Sequence, residues 1–70
     1  MPEQCRGARA MLNMKRDELS RLAEVAMATL ADFETGKRQP HPRTLAAIRR
    51  ALEDAGVRFT ERGVELADAP

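Results

Sequence analysis

Seventy residues make one domain, near the small end of what folds without a staple. A hydrophobic content of 43% without Trp or Tyr, and with two Phe, leaves the core to Leu, Ile, Val, Met and Ala. The single Cys excludes both an internal disulfide and a cysteine-based zinc site. The net charge of +1 divides into +4 over residues 1–50 (ten Lys or Arg against six Asp or Glu) and −3 over residues 51–70 (two against five), so the N-terminal part is where nucleic acid would sit.

The first predicted helix covers residues 3–12. Cys5, Ala8 and Leu12 share its inner face, Arg6 and Arg9 are among its polar positions, and Asn13 ends it. Cys5 reads as a small buried apolar residue rather than a reactive thiol. Asp17 and Glu18 suit a helix N-terminus, and Leu19, Leu22 and Ala23 recur on one face, which predicts a second helix over 16–23. Val25, Leu30 and Phe33 restart the period, and Gly36 supplies the left-handed ending, so the third helix is placed at 27–35. A link this short forces the two helices to cross steeply, as in the helix-turn-helix motif that presents its second helix to a major groove.

Lys37 to Arg43 (KRQPHPR) holds three fixed positive charges, one His and no acid. It reads either as a solvated loop or, from its place directly after the third helix, as a phosphate-contacting one; the second reading is preferred. Pro40 and Pro42 deny helix to the residues before them, so a fourth helix begins near Pro42 and runs to 55, with Leu45, Ile48 and Leu52 inward and Gly56 just past its end. From Val57 the period changes to two, with Glu61-Arg62-Gly63 as the turn of a hairpin over 57–66. An isolated hairpin is marginal and has an open edge. It packs on helix 4, or it pairs with the hairpin of a second copy through Val57, Phe59, Val64 and Leu66; the dimer is the preferred reading, with the end of helix 4 as another candidate surface. Residues 67–70 read as a frayed tail.

Three segments together resemble the Cro and cI phage-repressor family of helix-turn-helix proteins, the xenobiotic-response-element-like bacterial regulators. They are Gln4-Cys5-Arg6-Gly7-Ala8-Arg9-Ala10, Asp17-Glu18-Leu19, and Thr29-Leu30-Ala31-Asp32-Phe33-Glu34-Thr35-Gly36-Lys37-Arg38, with Pro40-His41-Pro42-Arg43-Thr44-Leu45 similar to the usual entry to helix 4. The likeness spans about residues 4–52. It implies a mostly α, compact four-helix lambda-repressor-like domain, here over residues 1–56, that docks helix 3 in the major groove as a dimer on a two-fold symmetric operator. It also implies a structural ion pair between Arg9 and Glu34.

The resemblance places Met27, Ala28, Thr29 and Asp32 toward base edges. It places Lys15 and Arg16 at the DNA backbone, although both also read as charges that serve solubility; Thr35, Lys37, Arg38, Gln39 and Arg43 join them there. Relatives carry polar side chains at the start of helix 3, whereas none of Met27, Ala28 and Thr29 makes the bidentate contacts that distinguish G or A. Ala28 and the Thr29 methyl can still touch a thymine methyl, and Asp32 can accept from a cytosine amino group. Glu24 stands where the family has a turn Gly, which predicts an altered turn. Lys15 and Ala26 stand where it has capping Ser or Thr, at about 1 kcal/mol for each lost cap.

The reading that follows is a DNA-binding transcriptional regulator, a repressor or autoregulator working as a homodimer in the bacterial cytosol or nucleoid, without cofactor or metal. No apolar run approaches a membrane span, and the N-terminus lacks a signal-peptide core. The rival reading keeps the fold but has Met14, Met27 and Ala28 form an apolar patch for a protein co-regulator, in the manner of an antiactivator or antitoxin. An enzyme is disfavoured: His41, the one histidine, lies between two prolines, and no nucleophile and base, metal spacing or phosphate-cradling glycine loop can be assembled.

Overall fold

A computed structural model describes residues 1–67, so most of the expected 67–70 tail lies outside the described residues. The element order is α1 (Pro2–Leu12), α2 (Arg16–Ala23), α3 (Met27–Glu34), α4 (Pro42–Ala55), β1 (Val57–Thr60) and β2 (Gly63–Leu66). The mostly helical fold with a terminal antiparallel hairpin is thus as the sequence indicates. α1 starts one residue earlier than predicted because Pro2 occupies its first turn, where a missing N–H is harmless. α3 ends one residue earlier, and Thr35 is its C-cap at φ −93°.

The core draws one or two residues from most elements: Cys5 and Ala8 from α1, Leu19 and Ala23 from α2, Leu30 and Phe33 from α3, Ile48 and Leu52 from α4, Val57 from β1, and Met14 from the first loop. Leu22 is not among them. It is 53% exposed, so the inward stripe of α2 is Leu19 and Ala23 alone. Met14, assigned by the rival reading to an exposed apolar patch, is only 8% exposed; its carbonyl accepts from Arg9 Nη1 at 3.2 Å, which draws the loop inward.

The α2–α3 turn does not avoid the left-handed conformation, as an altered turn around Glu24 would. Glu24 itself takes the left-handed conformation at φ 57° and ψ 46°. It is held there by bonds on both sides: its N–H donates to the Arg21 carbonyl at 3.3 Å, the Val25 N–H donates to the Ser20 carbonyl at 3.0 Å, and the Ser20 hydroxyl donates to the Val25 carbonyl. The surrounding bonds outweigh a local strain of about 1 kcal/mol. Neither α2 nor α3 has a side-chain cap at Lys15 or Ala26, whereas His41 caps α4, its Nδ1 accepting from the Arg43 N–H at 3.1 Å.

The hairpin pairs Val57 with Leu66 and Phe59 with Val64 on the face turned to the helices, and Arg58 with Glu65 on the other. Val57 is buried in the core, and Phe59 and Val64 pack against it from its margin. The platform is α1 as well as α4: a Cβ on Gly7 would stand 3.5 Å from Val64 Cγ1, and the Arg49 guanidinium lies 5.4 Å from the centre of the Phe59 ring. Of the four residues expected at a dimer interface, Val57 therefore belongs to the monomer's own core, and Leu66, 56% exposed, is the one most open to a second copy.

Candidate nucleic-acid interface

The fixed point of the candidate interface is Glu34, the last residue of α3 and fully buried. A carboxylate taken out of water needs its lone pairs filled, and four donors do so. Oε2 accepts from Arg9 Nε at 2.7 Å and from the Cys5 thiol at 3.1 Å; Oε1 accepts from Arg9 Nη2 and from Arg16 Nε, each at 2.8 Å. Arg9 thus grips the carboxylate with two parallel bonds, and Arg6 Nη1 adds a bond to the Glu34 carbonyl at 2.7 Å, which fills one of the open acceptors at the end of α3.

Burial pushes the Glu34 carboxyl up, but the hydrogen bonds from Arg9, Cys5 and Arg16 prevail and hold it below its ordinary value of 4.5. Burial, then the hydrogen bond to Glu34 and the carboxylate's charge, raise the Cys5 thiol to about 12, which keeps it neutral and unreactive.

Arg16 joins this cluster as well, a pairing to which the resemblance does not point. Expected at the DNA backbone, it gives its Nε to Glu34 and keeps a side chain 36% exposed. Its pairing draws the start of α2 against the end of α3. In principle a basic residue at the first turn of α2 together with a carboxylate at the end of α3 is a readable signal. The resemblance, however, directs attention to Arg9 alone. The contributions of Arg6 and Cys5 carry no signal beyond their spacing along α1.

Past Glu34, the chain turns at Gly36 (φ 75°) and folds back so that the N–H groups of Lys37 and Arg38 both donate to the Asp32 carbonyl, at 2.8 and 3.2 Å. Thr35 Oγ1 donates to the Ala31 carbonyl at 2.9 Å. Pro40 is buried and anchors the loop, while Lys37, Arg38, Gln39, His41 and Arg43 are exposed around it. Lys15 is exposed too, at the start of α2. Because the first backbone bonds of α2 and α3 are Leu19 to Lys15 and Leu30 to Ala26, the N–H groups of residues 16–18 and 27–29 have no backbone partner among the described residues. Met27, Ala28 and Thr29 are exposed at the tip of α3, and Asp32 is half-buried one turn later.

A helix tip in solvent, a second helix start joined to its far end by a buried ion cluster, and a cationic loop that follows that far end make up the helix-turn-helix arrangement. The family model for the Cro/cI-type helix-turn-helix matches residues 6–53. The chain belongs to that family. The match runs from the first turns of α1 almost to the end of α4 and leaves the hairpin outside it. No curated protein matches the chain.

The helix-turn-helix family is one of DNA-binding regulators, and this domain carries that function generally. No helix among the described residues is long and apolar enough to cross a membrane. Among the same residues no three His, Cys, Asp or Glu side chains gather as metal ligands.

Proposed function

We propose that this helix-turn-helix protein is a sequence-specific transcriptional regulator, a repressor or autoregulator, that binds a two-fold symmetric operator as a homodimer with half-sites about 34 Å apart. The observation that carries the reading is the Arg16–Glu34 contact of 2.8 Å. It couples the start of α2, with Lys15 and three unpartnered N–H groups, to the end of α3 and the basic loop that follows. Two anion-attracting elements thereby flank α3, one at a helix N-terminus and one through Lys37 and Arg38. α3 then enters the major groove, with Met27, Ala28, Thr29 and Asp32 toward bases. Lys15, Thr35, Lys37, Arg38, Gln39 and Arg43 serve the phosphates, and Arg16 adds whatever its free donors reach.

The free edge of β2 supports the homodimer. The Ala67 N–H donates to the Gly56 carbonyl at 2.8 Å, continuing the register, so Arg58–Glu65 and Thr60–Gly63 are the hydrogen-bonded pairs. The main-chain groups of Val64 and Leu66 therefore point away from β1. A second copy laid antiparallel, Val64 opposite Leu66, fills all four groups, covers exposed Leu66 and builds a four-stranded sheet. Each Glu65 then faces its counterpart across the axis, its charge already held by Arg58 of the same chain at 2.6 Å.

Selection of random duplexes with the purified protein tests the reading. An enriched inverted repeat supports it. A failure to enrich any sequence, or binding no tighter than that of an unrelated basic protein, overturns it.

A further inference from the structure

We propose that the first turn of α3 recognises the C5-methyl group of pyrimidines in the major groove, from thymine or from cytosine methylated at C5, and that these methyls carry its base discrimination. The proposal rests on the reading that α3 docks in that groove. It names what the helix looks for there.

The eight residues of α3, MATLADFE, include no Arg, Lys, Asn, Gln or His, so none offers the two-point contacts that single out guanine or adenine. What reaches solvent at the tip is the polarisable thioether of Met27, 46% exposed, with the methyl of Ala28 and the Thr29 side chain, which carries one methyl and one hydroxyl. Apolar groups at such a tip are matched by apolar atoms on the groove floor, and the C5-methyl is the apolar feature that base edges present there.

Asp32 sharpens the match. It lies three residues beyond Thr29 and four beyond Ala28, on the same helix face. Its carbonyl is occupied by the loop, and its carboxylate has no hydrogen bond or ion pair among the described residues. A carboxylate accepts only. It repels the two acceptors of guanine and the O4 of thymine, and it suits the N4 amino group of cytosine. The apolar atoms therefore favour a methyl while the carboxylate one turn away favours an amino donor. A thymine beside a cytosine satisfies both, and 5-methylcytosine satisfies both on one ring.

The test uses the full-length protein and the duplex enriched by selection. Each thymine is replaced in turn by uracil, which deletes the methyl and nothing else, and each cytosine by 5-methylcytosine, which adds it. The expected result is about a fourfold change in Kd at one or two positions of each half-site, a loss for uracil or a gain for 5-methylcytosine, equivalent to burying one methyl. A response in the uracil arm identifies thymine as the source, and one in the cytosine arm identifies the methylated base. Thr29→Ser, which keeps the hydroxyl and removes the methyl at an exposed position, reduces the response where Thr29 makes contact.

The proposal is overturned if every methyl substitution leaves Kd within about twofold while exchanging the base pairs at the same positions changes it about tenfold or more. That pattern leaves the docking reading intact and assigns specificity to something other than the methyl groups, either hydrogen bonds to base edges or DNA shape. Failure to enrich any duplex is a different outcome and overturns the docking reading together with this one.

Discussion

Arg16 Nε donates to Glu34 Oε1 at 2.8 Å, on the same oxygen that Arg9 Nη2 reaches at the same distance. One buried carboxylate thereby holds α1, α2 and the end of α3 in a single arrangement. The two arginines are not equivalent. Arg9 makes two bonds to the carboxylate and its side chain is 17% exposed, whereas Arg16 makes one and is 36% exposed. Arg9→Ala should therefore destabilise by about 3 kcal/mol, since it leaves a buried charge half-paired. Arg16→Ala should lose nearer 1 kcal/mol. Urea unfolding of the two variants checks the order, and equal losses would show that the bidentate grip adds nothing.

Acid should find the same cluster. The folded-state pKa of Glu34 lies below its ordinary value of 4.5. Its charge therefore contributes stability that is fully present above about pH 4.5 and is lost as the pH falls through the folded value. Tm measured downward from pH 6 should fall more steeply for the parent than for Glu34→Gln, which has no such proton to take up. Parallel curves would remove Glu34 from the acid response.

Cys5 should not react in the folded protein. Its thiol is fully buried and raised to about 12, so labelling by a thiol reagent at pH 8 should proceed only through unfolding and accelerate as urea is added. Prompt labelling in buffer would show that the Cys5–Glu34 contact opens readily.

Glu24→Gly should raise stability by roughly 0.5–1 kcal/mol. Glycine takes φ 57° without the clash that a Cβ brings, although it also frees the unfolded chain. A loss of stability would mean that the Glu24 side chain makes a contribution larger than the backbone strain.

Leu66→Lys and Val57→Ala separate the two roles of the hairpin. Leu66 is exposed on β2, so its substitution should convert a dimer to monomers with little change in monomer unfolding. Val57 is buried, and its truncation should destabilise the fold by about 1–3 kcal/mol. Sedimentation and urea unfolding read the two effects separately, and a Leu66→Lys variant that still sediments as a dimer would exclude the β2 edge as the interface.

The helices were legible because their signals are local. The 3.6-residue spacing of Ile48 and Leu52, the glycines at 36 and 56, and the prolines at 40 and 42 each act within a few residues of where they stand. The hairpin is legible from its two-residue period, but alternation marks a buried face without saying what buries it, so the period alone does not tell a partner from the protein's own helices. Leu22 and Met14 exchanged their expected environments for a similar reason. Helical spacing placed Leu22 inward, while the Arg9 bond to the Met14 carbonyl depends on a side chain five residues away whose reach no period encodes. The Glu24 turn shows the reverse: a residue ill suited to its conformation is held there by neighbours whose bonds exist only once the turn has formed.

The most direct measurement is an anisotropy titration of the selection-derived duplex and a scrambled duplex against the parent protein, Lys37→Ala and Arg38→Ala across a range of salt concentrations. Sequence-specific docking through the basic loop requires a steep fall of affinity with salt and a preference for the selected duplex at every salt. It also requires each substitution to lower the slope by about one unit and to weaken both duplexes alike. Equal affinity of the parent for the two duplexes, with slopes untouched by either substitution, would contradict it.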